Sequence, residues 1–126
     1  MQENEIYAAI GADGFERLIA AFYRRIPGDA ILGPMYEQED LAGAEQRLRD
    51  FLLFRFGGSM RYIEQRGHPR LRMRHIRFPI GQAARDRWIE LMTAALEEAA
   101  LPAEAQDALR SFFDSTATFL MNRPAE

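Results

Sequence analysis

Apolar residues recur at helical spacing in four stretches of the chain, and they seldom alternate with polar residues as they would in a β-strand. The first stretch follows Asp13, a residue type that caps helix N-termini, and ends at Pro27-Gly28-Asp29. The second begins after Asp40 and ends at Gly57-Gly58, where glycine permits backbone angles that other residues avoid. These signals predict the first two helices of an all-α fold.

Two further helices are predicted in the C-terminal half. One runs from about Gln82 to Ala99, and the other starts near Pro102, because proline suits the first turn of a helix. The four apolar stripes predict the core: Phe15, Leu18, Ile19, Phe22 and Ile26; Leu41, Ala44, Leu48, Phe51, Leu52 and Phe56; Ala84, Trp88, Leu91, Met92 and Ala95; Leu109, Phe112, Phe113, Thr116 and Leu120. Between the second and third helices, about twenty residues carry no extended helical pattern, and a loop of that length is usually functional.

Length and composition describe one ordinary globular domain. The chain has 126 residues, of which 48% are hydrophobic and 28% charged, and no apolar run approaches the ~20 residues of a membrane span. The N-terminus lacks the basic-then-apolar order of a secretory signal. We therefore expect a single domain over residues 1–126, located in the cytoplasm. The absence of cysteine excludes disulfides, thiolate metal ligands and cysteine nucleophiles.

The long loop contains the string RGHPRLRMRHIRF, residues 66–78, which places five arginines and both histidines in a chain of net charge −3. A zinc site built by the protein needs three or four converging ligands, and neither histidine lies in such a motif. His68 lies between a glycine and a proline, a context typical of a turn. His75 has apolar neighbours and can point inward. One imidazole is sufficient when a porphyrin already holds the metal, and arginine suits the carboxylates of haem.

A second interpretation of the same segment stays open. Arg66, Arg70, Arg72, Arg74 and Arg77 would form the phosphate-binding surface of a non-haem helical module, since arginine clusters can dominate nucleic-acid affinity. The acidic net charge argues against this module, and so does the lack of a recognition helix or a row of stacking aromatics.

Five strings of the chain resemble the truncated haemoglobins of group II. They are FYRRI, PMYEQEDLAGAEQRL, GG, RGHPRLRMRH and RDRWIELM, in the same order and at similar spacing over nearly the whole chain. The resemblance implies a shortened globin fold, in which two antiparallel helix pairs cross over one another around a haem b group. It also implies that His75 is the proximal iron ligand and that His68 belongs to the supporting loop.

The resemblance further implies a polar distal side. Tyr23 matches a tyrosine whose hydroxyl points at the bound gas, Tyr36 matches an aromatic residue packed over the haem, and Trp88 matches a tryptophan typical of group II. Phenol and indole groups supply hydrogen-bond donors in an otherwise apolar cavity. Ala44 stands where many globins place a bulky gate, and Leu48 is expected to wall the cavity.

Other haem contacts and the function are also expectations at this point. Tyr62 matches a position at the haem periphery, and Arg47 and Arg72 are candidates for the propionates. The resemblance implies a haem protein that binds or transports dioxygen and other diatomic gases, with nitric oxide dioxygenase or peroxidase-like activity open. We expect no nucleic acid and no integral membrane association. A reductase as partner, and the choice between monomer and homodimer, stay open.

Overall fold

The computed structural model describes residues 1–124, within which the chain forms six α-helices and two 3-10 turns but no strand. The helices are α1 (Glu3–Arg24), α2 (Leu41–Arg55), α3 (Arg61–Arg66), α4 (Leu71–His75), α5 (Gln82–Glu98) and α6 (Ala103–Phe119), and the 3-10 turns are Gly33–Met35 and Gln38–Asp40. The all-α prediction is confirmed for this part of the chain. No helix in it combines the length and the apolar character needed to cross a membrane.

Helix α1 packs against three others, α2, α5 and α6. Its predicted stripe is confirmed, because all five side chains are fully buried: Phe15, Leu18, Ile19, Phe22 and Ile26. Burying a large apolar side chain contributes ~1.5–3 kcal/mol to folding. These five side chains therefore contribute strongly to the stability of the fold.

The stripes of α2, α5 and α6 are buried along only part of their length. The buried members include Phe51, Leu52, Leu91, Met92, Ala95, Leu109 and Phe113. The half-buried members include Ala44, Leu48, Ala84, Trp88, Phe112, Thr116 and Leu120. All seven of the half-buried side chains border one cavity. The buried members Phe51, Leu52 and Phe113 border it as well, so the apolar pattern marks both the core and the wall of a cavity.

The predicted helix start near Asp13 coincides with a break inside α1, and the structure adds a helical piece before that break. Helix α1 begins at Glu3, well before Asp13, and bends at Gly11, whose φ of +65° lies in the left-handed region. Glycine adopts this conformation without the clash that a Cβ atom causes. Asp13 lies beyond the bend, and its carboxylate accepts a hydrogen bond from Arg17 Nε at 3.0 Å. The bend joins two helical pieces, and this is why the periodicity near residue 13 resembles a helix start.

The long loop, for which the sequence showed no extended helical pattern, contains two short helices in the structure. Helices α3 and α4 have six and five residues, fewer than two turns each, so neither is long enough to show an apolar period. The predicted stop at the two glycines is confirmed at Gly57, which has a φ of +87°. Gly58 is needed for a different reason, because a Cβ atom there would overlap the ring of Tyr7.

A buried carboxylate ties the turn after α1 to helix α5. Asp29 accepts hydrogen bonds from the backbone N–H groups of Leu32 at 2.8 Å and Ile31 at 3.1 Å, and from Arg87 Nε at 2.6 Å. These donors favour the charged form, so the Leu32 amide above all, with Arg87 and Ile31, holds the pKa of Asp29 below its ordinary value of 3.8. The contact with Arg87, which precedes Trp88 on α5, therefore fixes this part of α5 against the turn.

We expect Asp29→Asn to lower the stability of the protein near neutral pH but to matter little in acid. A carboxyl group whose pKa is lowered on folding stabilises the protein above its unfolded pKa, and this contribution is lost as the pH falls through the folded value. Urea unfolding at about pH 7 and about pH 3 measures the difference between variant and parent. The control is Asp107→Asn, which removes an exposed pair with Arg110 and should change stability little at either pH. A constant difference at both pH values would contradict this account.

Candidate functional site

The half-buried side chains enclose a cavity of about 560 Å³. This volume lies within the ~300–1,000 Å³ typical of sites for small molecules and cofactors. Helices α2, α5 and α6 form much of its wall, and the turn after α1, helix α3 and helix α4 complete it. Its apolar lining includes Leu32, Met35, Leu48, Phe51, Leu52, Leu71, Phe78, Ile80, Phe112, Phe113 and Leu120. The cavity therefore suits a large and mainly apolar ligand.

His75 lines the cavity as the last residue of α4. Its Nδ1 atom lies 2.7 Å from the carbonyl oxygen of Leu71. A carbonyl oxygen only accepts hydrogen bonds, so Nδ1 carries the proton and the lone pair is left on Nε2. This orientation and tautomer are those that a histidine needs to bind a metal through Nε2.

The segment that follows His75 is held by Asn122, beyond the end of α6. The amide of Asn122 donates to the carbonyl oxygens of His75 at 3.2 Å and Phe78 at 2.8 Å, and its oxygen accepts from the N–H of Ile80 at 2.9 Å. One side chain therefore satisfies three backbone groups of an irregular segment. No feature of the sequence singled out Asn122, because its partners are more than forty residues away.

Arg74 braces the other end of α4. Its guanidinium group donates to the carbonyl oxygens of Pro69 at 2.7 Å, Arg66 at 2.8 Å and His68 at 3.2 Å. His68 itself is exposed and lies outside the cavity lining, and its Nδ1 accepts a hydrogen bond from the N–H of Arg70 at 3.2 Å. The turn position predicted for His68 is what the structure shows. The bracing role of Arg74 was missed.

Tyr23, Tyr36 and Trp88 lie together on the cavity wall. The ring centroids of the two tyrosines are 5.8 Å apart at right angles, and the Tyr23 hydroxyl donates to the Ala44 carbonyl oxygen at 3.2 Å. The Tyr36 hydroxyl lies near the polar atoms of both Tyr23 and Trp88. Burial raises the pKa of both tyrosines above the ordinary value of 10.0, so the two phenols keep their protons at neutral pH. The cluster therefore offers O–H and N–H donors.

Ala44 and Leu48 line the cavity on α2. Arg47 also lines it, but its guanidinium pairs with Asp40 at 2.9 Å. This pair lies close over Gly43, where a Cβ atom would overlap the Asp40 carboxylate. The small residues at 43 and 44 leave space on this face of α2, and the ion pair occupies part of it.

Cationic side chains also line the cavity near α3 and α4. Arg66 and Arg77 belong to its lining. Tyr62 also lines the cavity and is buried. The guanidinium carbons of Arg66 and Arg74 lie 5.9 and 6.0 Å from the centroid of its ring. Arg85, which the sequence did not indicate, lines the cavity from α5 and pairs with Asp114 and Asp86.

Arg72 is the one predicted site residue that lies elsewhere. It is exposed, is absent from the cavity lining, and its guanidinium carbon lies 5.3 Å from the ring centroid of Phe119. The physical reason is the helical period. Leu71, Arg74 and His75 share one face of α4 and line the cavity, whereas residue 72 projects from another face.

The residues of the cavity fit haem. A porphyrin needs flat apolar walls, one axial nitrogen donor and cations for two propionates, and the cavity supplies the apolar lining, His75 and the arginines near its α3–α4 side. Among residues 1–124, no group of three or more His, Asp or Glu side chains lies close enough to hold a metal ion. A single histidine fits a metal that is already held by the porphyrin.

Comparison with known proteins agrees with this geometry. A family model described as "Bacterial-like globin" matches residues 5–122. The chain is 32% identical to the group 2 truncated hemoglobin YjbI of Bacillus subtilis over 95% of this chain and 90% of that protein. A thermostable hemoglobin from Thermobifida fusca is 45% identical, with a TM-score of 0.91 over 95% of this chain and 98% of that one. A truncated oxygen-avid haemoglobin from Bacillus subtilis is 32% identical, with a TM-score of 0.87 over 93% and 98%. These matches confirm the shortened globin fold.

Proposed function

The chain belongs to the bacterial-like globin family as a group II truncated haemoglobin, and we propose that it binds dioxygen through His75 on one side of the haem and the Tyr23, Tyr36 and Trp88 cluster on the other. As a member of this family it is a haem protein that binds diatomic gases. The identity of the gas and the roles of these residues are the proposal.

The observation that carries the proposal is the state of His75. Because its Nδ1 proton is engaged by the Leu71 carbonyl, the Nε2 lone pair is free in a cavity whose lining is mainly apolar. The hydrogen bond to Leu71 also increases the basicity of the imidazole, which strengthens it as a ligand. Arg74 and Asn122 hold the two ends of the segment that carries this histidine, so its position is fixed before the haem binds.

The donor cluster supports dioxygen as the ligand. Haem iron supplies the bond to the gas, and the protein supplies hydrogen bonds, exclusion of water and access. Dioxygen bound in the cavity gains negative charge and accepts hydrogen bonds, whereas carbon monoxide gains little. The Trp88 indole N–H is one donor, and the Tyr23 hydroxyl, which keeps its proton at neutral pH, can turn from the Ala44 carbonyl oxygen to the bound gas. The similarity to an oxygen-avid relative supports the same ligand.

Access to the cavity is proposed beside Ala44, because its methyl group leaves more space than a bulky gate residue would. Activity on nitric oxide or peroxide stays a prediction, as do the cytoplasmic location and the choice between monomer and homodimer. Family membership favours the haem protein over the nucleic-acid module, which would use the same arginines.

A haemin titration tests the proposed function. We expect the purified protein to bind one haem per chain, to develop a Soret band, and to give separate dioxygen and carbon monoxide spectra after reduction. An electrophoretic shift with duplex DNA on the same preparation tests the alternative. Colourless protein that refuses haemin but retards DNA would overturn the proposal in favour of the module.

A further inference from the structure

All 16 cationic side chains of the protein are arginines, and their pairing with carboxylates is uneven. Nine arginines outside residues 66–77 form ion pairs: Arg17, Arg24, Arg25, Arg47, Arg55, Arg61, Arg85, Arg87 and Arg110. Within the described chain, none of the five arginines in residues 66–77 pairs with a carboxylate. Their five positive charges, in a chain of net charge −3, leave −8 for the remaining residues. The basic segment is therefore a local region of positive charge that no carboxylate of the described chain neutralises.

Aromatic rings take the place of carboxylates as partners in this segment. Arg72 lies over Phe119 and Arg77 over Phe78, with the guanidinium carbons 5.3 and 5.4 Å from the ring centroids. Such contacts restrict a long side chain without neutralising its charge. The arginines are thus partly ordered and keep their attraction for an anion. Four of these arginines are exposed, but Arg66 and Arg77 also line the cavity and are available to haem propionates, whereas Arg70 and Arg72 do not line it.

Exposed apolar side chains accompany the outward arginines. Met73, Ile76 and Phe119 are 56%, 70% and 56% exposed, and they make up half of the large hydrophobic residues that are exposed in the described chain. Met73 and Ile76 are three positions apart, on one side of the α4 segment, and Arg72 connects α4 to Phe119. We call Arg70, Arg72, Met73, Ile76 and Phe119 the α4 patch.

We propose that the α4 patch is a docking surface for a small electron-transfer protein with an acidic face. Protein interfaces are enriched in arginine, methionine and phenylalanine and depleted of lysine, which is the composition of this patch. Guanidinium groups bind carboxylates in a bidentate manner, and the opposed charges steer the encounter. The carboxylates that this segment lacks within the chain would come from the partner.

Two other anionic partners fit the patch less well. Nucleic acid would use a row of exposed aromatic rings as stacking surfaces, but the patch has one aromatic ring, Phe119, and Arg72 already lies over one of its faces. An anionic membrane is bound by a helix with a long apolar face, and α4 has five residues. An acidic protein would contact both the arginines of the patch and its exposed apolar side chains.

The position of the patch indicates the type of partner, and this step rests on the proposed function. Helix α4 carries His75, so a protein docked on its outer face lies beside the haem cavity. The partner would lose one electron and the ferric iron would gain it, with no bond or proton transferred. A flavoprotein or an iron–sulfur protein can act as such a donor.

The test measures binding of a recombinant flavodoxin, a small acidic flavoprotein, to the haem-loaded protein by titration calorimetry. Raising the ionic strength from about 20 mM to about 200 mM should weaken the wild-type complex about tenfold or more, because salt screens the attraction. Arg72→Glu alone should weaken binding on the order of tenfold at low salt and flatten the salt dependence, and adding Arg70→Asn should extend the loss to on the order of a hundredfold. Asparagine suits position 70, where φ is +43°.

Two variants make the test specific. Arg49→Glu on α2 is the matched control, since Arg49 also has no ion-pair partner in the described residues and the variant changes the net charge as Arg72→Glu does. It should leave the affinity within about twofold, whereas Ile76→Ser should weaken binding several-fold without changing the salt dependence. Circular dichroism and the Soret band check that every variant is folded and loaded.

Three results would overturn the docking surface. The first is that the protein binds flavodoxin no more tightly than it binds a basic protein of similar size. The second is that Arg49→Glu and Arg72→Glu lower the affinity for flavodoxin equally. The third is that the arginines support binding to phosphatidylglycerol vesicles or duplex DNA in place of flavodoxin. Since the Soret band reports the proposed function on the same samples, loaded protein that ignores flavodoxin contradicts this inference alone.

Discussion

His75→Ala is expected to lower the affinity of the protein for haem by at least ~100-fold, because it removes the axial ligand itself. Loss of a group that only orients a metal ligand typically costs about 10–100-fold, so loss of the ligand should cost more. The variant should also fold, since His75 is half-buried and its side chain bonds only to a backbone carbonyl. Haemin titration followed at the Soret band, with transfer of haem to apomyoglobin as a second readout, measures the change.

His68→Ala is the matched control, because it removes the chain's other imidazole from a position seven residues away. The His68 side chain is exposed and accepts a hydrogen bond only from the Arg70 N–H, so the variant should keep the affinity and spectrum of the parent. Added imidazole should restore a six-coordinate or five-coordinate spectrum to His75→Ala, since it fills the space of the lost side chain. Equal affinities for the two variants, or a loss that follows His68, would show that the ligand assignment is wrong.

Tyr23→Phe and Trp88→Phe are each expected to raise the dissociation rate of dioxygen on the order of tenfold to a hundredfold. A hydrogen bond to a partly charged acceptor in a dry cavity contributes ~1.5–3 kcal/mol, and ~1.4 kcal/mol corresponds to a factor of ten. Tyr23→Phe is the milder change, since it removes one oxygen atom from a buried ring. Trp88→Phe also alters packing, because the indole ring contacts Phe22 and Phe113 with centroids 5.1 and 5.5 Å away. Stopped-flow displacement of dioxygen by carbon monoxide gives the rates.

Carbon monoxide dissociation separates hydrogen bonding from cavity shape. Carbon monoxide gains little from a donor, so its off-rate should change much less than that of dioxygen in both variants. Equal changes for the two gases would mean that the substitutions act by reshaping the cavity. Tyr36 lies close to both donors, so the double variant should fall short of the product of the two single effects. A fully multiplicative result would show that the donors act independently.

Much of the fold was predictable from the sequence because helical periodicity is a local property. Four core positions of α1 and Ile26 just beyond its end follow from the apolar spacing, and the limits of α2 and α5 and the start of α6, to within about two residues, follow from that spacing and its glycine and proline punctuation. The segment with His75 was also recognisable, because a histidine and arginines in a long loop are unusual. The short helices α3 and α4 were not predictable in this way, since fewer than two turns contain no complete period.

The tertiary structure decided which apolar residues form the core and which enclose the cavity. Trp88 and Met92 lie one turn apart on α5, yet Met92 is fully buried away from the cavity and Trp88 is half-buried at the cavity wall. Hydrophobicity records only the preference to leave water, and both places satisfy it. The difference depends on the helices packed opposite, which come from distant parts of the chain.

The arginines show the same division between local and tertiary information. The sequence determined that a basic segment carries His75, but it did not distinguish Arg72, which is exposed beside Phe119, from Arg74, which holds three loop carbonyls. Two residues that are two positions apart in a helix project in different directions, and the direction of each follows from how α4 is placed on the body of the protein. Sequence therefore determined the chemical groups available at the site, and only the packing of distant segments decided where each group points, because their contacts join residues that are far apart in the chain.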